Sequence, residues 1–159
     1  MKILVWLAEG TWQAGVDAAR VAAADAEIVL LHVVDPALAA GVDAARAGLF
    51  GRGRDPAEHS DVIAAAVEDA ERSLLHAART RLGRPARPLA LRGRAEREVT
   101  AAAAGADLLI VVRDGDHRRL GPHSLAPATR FVVDHAPCPV LLVWPDQPPA
   151  LDTIPPPPP

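Results

Sequence analysis

The chain has 159 residues, half of them apolar by count, and a formal net charge of −3, which suits one domain with an ordinary core and argues against a general polyanion binder. Its single cysteine, Cys138, excludes an internal disulfide and fits a reducing compartment. No run approaches the roughly 18 apolar residues of a membrane span, and Met1 leads into KILVWL without a basic leader or cleavage site, so the expectation is a soluble cytoplasmic protein.

Much of the apolar content is alanine, which favours helix but buries little area, so Val, Leu and Ile in strands must supply the core. The first strand is expected over residues 2–7. A helix follows, with Gly10 or Thr11 as cap and Trp12, Val16, Ala19 and Ala23 on one stripe. The second strand is expected over 27–34. The connection 35–54 holds Gly41, Gly48, Gly51 and Gly53, with room for a short helical piece over 42–47. Asp55-Pro56-Ala57-Glu58 then gives a cap residue, a proline at the first helical position and a glutamate three after the cap. Ile63, Val67, Ala70, Leu74 and Ala78 continue that helix, and Gly83 stops it.

A third strand is expected over 87–92, a third helix over 95–104 ending at Gly105, and a fourth strand over 107–112. After a polar loop come a helix over 127–134 and a last strand over 139–144. Three runs, ILVWL, IVLLHVV and LLIVV, are continuous rather than alternating, as in strands covered on both faces. Strand and helix alternate throughout, which favours one α/β domain over residues 1–145, an open five-stranded parallel sheet with helices on both faces. Residues 146–159, ending in PPPPP, are expected to be a disordered, extended proline-rich tail.

Several residues invite sharper readings. Asp114, Asp116, His117 and His123 are possible metal ligands, but their spacing matches no recognised zinc or calcium pattern, and solvated loop charges are the expectation. Ser124 lies in GPHSLA, without the G-x-S-x-G elbow of a hydrolase, and is expected to help cap the following helix. Cys138 is expected to be buried as a small apolar residue, and His32 to be a satisfied sheet histidine. Residues 79–97 hold seven arginines and one acid, Glu96, without interleaved aromatics, so nucleic-acid binding is not expected. No catalytic or metal site is assigned. Trp12, at the first turn of its helix, is expected to pack over the end of the sheet and partly fill the space beside it.

Gly93-Arg94-Ala95-Glu96, ADLLIVV at 106–112 and HAPCPVLLV at 135–143 make the chain resemble the universal stress protein family over residues 1–145. The resemblance implies strand order 3-2-1-4-5, a Rossmann-like topology, with a ligand crevice outside the carboxyl ends of the strands where the order reverses. Candidate crevice residues are Ala8, Glu9, Val34, Gly93, Arg113, Asp114, Gly115, Asp116, Ala126 and Pro127. In ATP-binding members an Asp at the end of the first strand orients the nucleotide; Ala8 stands there. Backbone near Val34 would meet the adenine edge. The phosphate loop of those members follows G-x2-G-x9-G-[ST], and its motif positions fall on Arg113, Asp116, Ala126 and Pro127. Glycines let successive N–H groups turn toward phosphate; Arg113 and Asp116 cannot do so cheaply, and Pro127 has no N–H. The expectation is a stress-response binding or regulatory module without a nucleotide cofactor, rather than an enzyme. The alternative keeps ATP or AMP in a remodelled loop. The resemblance also implies a homodimer through strand 139–144.

Overall fold

The computed structural model describes residues 1–22, 24–36, 56–154 and 156. The sequence readings over 37–55, including the short helix at 42–47 and the Asp55 cap, lie outside the described residues, as do Ala23, the side chains of Glu58 and Ile63, and the terminal prolines 157–159. The elements run β1 (Lys2–Trp6), α1 (Trp12–Arg20), β2 (Glu27–Val34), α2 (Pro56–Leu82), β3 (Arg87–Arg92), α3 (Ala95–Ala102), β4 (Leu108–Val112), α4 (Pro127–His135) and β5 (Val140–Val143). All four strand pairings are parallel and the order is β3-β2-β1-β4-β5. This is the expected topology, with the order reversing between β1 and β4.

The continuous apolar runs become the central strands because both of their faces are covered. Ile3, Val5 and Leu7 point to the side where α1 and α2 pack, together with Val16, Ala19, Ala78 and Leu82. Leu4 and Trp6 point to the other side, against Val99, Ala103 and Val132 around α3 and α4. Helix α1 lies close on the sheet because residue 15 is glycine: a Cβ there would meet Val112 Cγ2 at 3.0 Å. Among the described residues, helix α2 packs through its later turns. Leu74, Leu75, Ala78 and Leu82 join the core, whereas Ala70 is exposed.

Element ends differ from the sequence expectation by one or two residues, for identifiable reasons. Leu7 still donates to Leu31 O at 2.8 Å beyond the end of β1. Pro139 has no N–H, so β5 begins at Val140 although the Pro139 carbonyl accepts from Leu109 N at 2.9 Å. The last turn of α3 tightens, with Ala104 N donating to Ala101 O at 3.1 Å before Gly105 turns the chain at φ 80°. Thr11 is the residue preceding α1, but its side chain makes no capping bond; Trp12 N donates instead to Ala8 O at 3.1 Å. Trp12 packs onto the α1–α2 core cluster. His32 is buried, with Nδ1 3.1 Å from Leu7 O; a carbonyl only accepts, so the proton sits on Nδ1.

No helix among the described residues is long and apolar enough to cross a membrane. Leu109, fully buried in the central β4, should lose about 2–5 kcal/mol on Leu109→Ala, since the cavity cannot collapse in a sheet packed on both faces. Val21, 88% exposed, should lose no more than about 0.5 kcal/mol on Val21→Ala. Denaturant unfolding of the two variants checks this, and equal losses would contradict the core assignment.

Candidate functional site

Four segments end at the carboxyl edge of the sheet around the reversal point. Ala8 follows β1 and its carbonyl accepts from Thr11 N and Trp12 N, at 3.3 and 3.1 Å; Glu9 beside it is exposed. Val34 closes β2, and its carbonyl accepts the Gly93 N–H at 3.1 Å. Gly93 in turn lies against Glu98, whose Oε1 would be 2.7 Å from any added Cβ. The loop from Arg113 to Ala126 completes the edge.

That loop folds back on itself. Gly115 N donates to Ser124 O at 3.0 Å and Asp116 N to His123 O at 2.8 Å. The two strands of the loop approach so closely that a Cβ at position 115 would stand 2.3 Å from the His123 carbonyl oxygen, so only glycine fits. Asp114 points to the start of α4. Its Oδ1 accepts the Ala126 N–H at 2.9 Å, and its Oδ2 accepts the Thr129 hydroxyl at 2.7 Å. Thr129 is fully buried. A carboxylate beside the first turn of a helix meets both unsatisfied donors and the positive end of the helix dipole. Ala126 itself supplies no side-chain cap and Pro127 no N–H.

Arg113 turns the other way. Its guanidinium lies 4.5 Å from the Trp144 ring centroid and donates through Nη1 to the buried Ser124 hydroxyl. Register accounts for the first contact: Val112 pairs with Val143, so the next residues leave neighbouring strands side by side. Its Nε is buried without a partner, and Arg113 makes no ion pair among the described residues. Burial pushes its pKa below the ordinary arginine value, but a guanidinium stays charged. His117 Nε2 bonds the Arg113 carbonyl at 3.0 Å and sets its ring edge-on to Trp144. Asp116 is tied to Arg118, whose hydrogen bonds and charge hold its carboxyl down at about 2.

The structure therefore brings Asp114 and Ala126 together, while Arg113 and Asp116 face different partners. Asp114, Asp116, His117 and His123 diverge in the same way, and no three His, Cys, Asp or Glu side chains converge among the described residues. Ser124 does not cap α4 as expected. Its hydroxyl donates to Gly121 O at 2.7 Å and accepts from Arg113, because Asp114 already holds the helix start. Cys138 is half-buried rather than buried, and that burial pushes its thiol pKa up, away from a reactive thiolate. In the basic band, Arg81, Arg87, Arg92 and Arg94 pair with Asp17, Glu27, Glu71 and Glu96, so part of its charge is already matched.

Sequence reasoning missed Thr129 and the pairing of Trp144 with Arg113. The residue one past the end of each adjacent strand was the available signal for that pair. A cleft of about 610 Å³ opens between α1 and the exit of β5, lined in part by Gln13, Asp17, Arg81, Trp144 and Asp146. None of the candidate crevice residues lines it. Within that lining Arg81 donates two hydrogen bonds to Asp17, of 2.9 and 2.6 Å.

The sequence pattern described as the Universal stress protein family matches residues 3–143. No curated protein sequence matches the chain. Among solved structures, the hypothetical protein MJ0577 is similar at 19% identity and a TM-score of 0.65, over 90% of this chain and 94% of that one. The universal stress protein UspA from Lactobacillus plantarum is similar at 23% identity and a TM-score of 0.56, over 90% and 97%. A universal stress protein family protein from Arabidopsis thaliana, solved with AMP bound, is similar at 16% identity and 0.57, over 96% and 94%. At such identities the structures speak to the fold, and the family match over residues 3–143 carries the assignment. This chain belongs to the universal stress protein family.

Proposed function

We propose that the chain is a stress-response binding or regulatory module that does not cradle nucleotide phosphates in the manner of ATP-binding family members. The observation that carries this reading is the Asp114 carboxylate, hydrogen-bonded to Ala126 N–H and the Thr129 hydroxyl at the start of α4. Phosphate seeks the donors and dipole of such a helix start. A carboxylate already there removes a donor and adds like charge. Three features reinforce it: Ala8 carries no carboxylate to orient a ribose, Pro127 offers no N–H, and the folded-back loop turns the Gly115 and Asp116 N–H groups to protein carbonyls.

The alternative, ATP or AMP in a remodelled loop, is favoured by Arg113, a half-buried guanidinium with no ion pair among the described residues. The Arabidopsis relative was solved with AMP. Arg113 is nevertheless engaged by Ser124 and Trp144.

The module is further proposed to act as a cytoplasmic homodimer. β5 is an edge strand, and Leu141 on it is 43% exposed. An uncovered apolar edge risks aggregation unless it pairs, and two-fold pairing of identical edges closes both at once.

Calorimetry with ATP and with AMP should show no binding tighter than about 100 µM, or about 5.5 kcal/mol; a low-micromolar isotherm would overturn the reading. Asp114→Ala should lower stability by about 1–2 kcal/mol through loss of the helix-start bond, seen as a lower denaturant midpoint. An unchanged midpoint would remove Asp114 from its proposed place. Sedimentation of the parent chain at tens of micromolar should give a dimer, and Leu142→Pro, which deletes a strand N–H, should dissociate or unfold it. A well-folded parent monomer would sink the dimer.

A further inference from the structure

We propose that residues 150–154 form a strap that holds the loop after β4 in place through the hydroxyl of Thr153. The family match ends at residue 143, so this segment lies beyond the matched region, yet it returns to the site. Leu151–Thr153 form a 3-10 turn. There the Leu120 N–H donates to Thr153 Oγ1 at 3.1 Å across 33 residues of sequence, while the same hydroxyl donates to Ala150 O at 2.6 Å. Accepting and donating at once is what a hydroxyl provides and an isosteric methyl does not. Arg118 and Arg119 share a cleft of about 440 Å³ with Asp152, Thr153 and Ile154, so opposite charges also face this junction.

The contact is placed to act on the loop. Leu120 adjoins Gly121, whose φ of 135° is a conformation for glycine. The Gly121 carbonyl accepts both the N–H and the hydroxyl of Ser124, at 3.1 and 2.7 Å. Ser124 in turn accepts from Arg113, which lies over Trp144. Thr153, Leu120, Gly121, Ser124, Arg113 and Trp144 thus form one chain of contacts that begins and ends on the segment after β5. A strap of this kind sets how far the loop opens, and with it the exposure of the Arg113 guanidinium. The inference holds whether or not a nucleotide enters the crevice.

The test uses the full-length chain with Thr153→Val and Thr153→Ser. Hydrogen exchange at the Leu120 amide should rise roughly fivefold in Thr153→Val, the factor expected for one lost hydrogen bond, and return to the parent rate in Thr153→Ser. Trypsin cleavage after Arg118 and Arg119 should rise in Thr153→Val alone, while cleavage after Arg94, at the start of α3, stays constant. Equal exchange and cleavage in parent and Thr153→Val would overturn the strap. So would a rise that Thr153→Ser does not reverse or that Arg94 shares, because either outcome reports general loosening.

Discussion

Asp114 accepts from Ala126 and Thr129, so one carboxylate closes the connection of fourteen residues, 113–126, between the end of β4 and the start of α4. Much of the site follows from that closure. It brings the two arms of the loop together at Gly115, where there is no room for a side chain. It releases Ser124 from any capping duty, leaving its hydroxyl for Arg113 and Gly121. It also places negative charge beside the first turn of α4, whose unsatisfied donors would otherwise suit an anion. The same geometry therefore stabilises the loop and argues against phosphate.

Arg113 completes the electrostatics. Lifting a guanidinium out of water costs free energy, recovered here through a hydroxyl, an indole face and the solvent that still reaches part of it. Trp144 meets Arg113 on its ring face and His117 in a T-shaped contact at the exit of β5. The chain leaving that point runs past α1 and back to the loop at Leu120. The carboxyl edge of the sheet is thus tied on the β5 side by this chain's own residues.

The fold was legible in the sequence because its signals are local. Continuous runs such as LLIVV mark strands covered on both faces, and Gly83 and Gly105 mark helix ends, so element order and topology followed. Errors of a residue or two came from groups whose bonding is not local. Leu7 keeps a sheet bond past the strand end, and Pro139 contributes a carbonyl without an N–H. The resemblance aligned Arg113, Asp116 and Ala126 with the glycines of ATP-binding members, but the partners of the loop's side chains were not legible. Asp114 read as a solvated loop charge because its partners lie twelve and fifteen residues downstream. Ser124 read as a cap because it precedes a helix, and only the folded loop shows a better cap arriving from elsewhere. Thr153 sits in a segment whose prolines suggested an extended tail, and its contact with Leu120 depends on a path that no periodicity encodes.

The most direct measurement of the central claim is the chemical shift of the Ala126 amide in labelled protein while ATP is added. A donor already satisfied by Asp114 should leave that resonance unmoved into the millimolar range, with the Thr129 resonance equally still. A saturating shift of Ala126 and Thr129 at low-micromolar ATP would show that phosphate displaces the carboxylate, and would contradict the account.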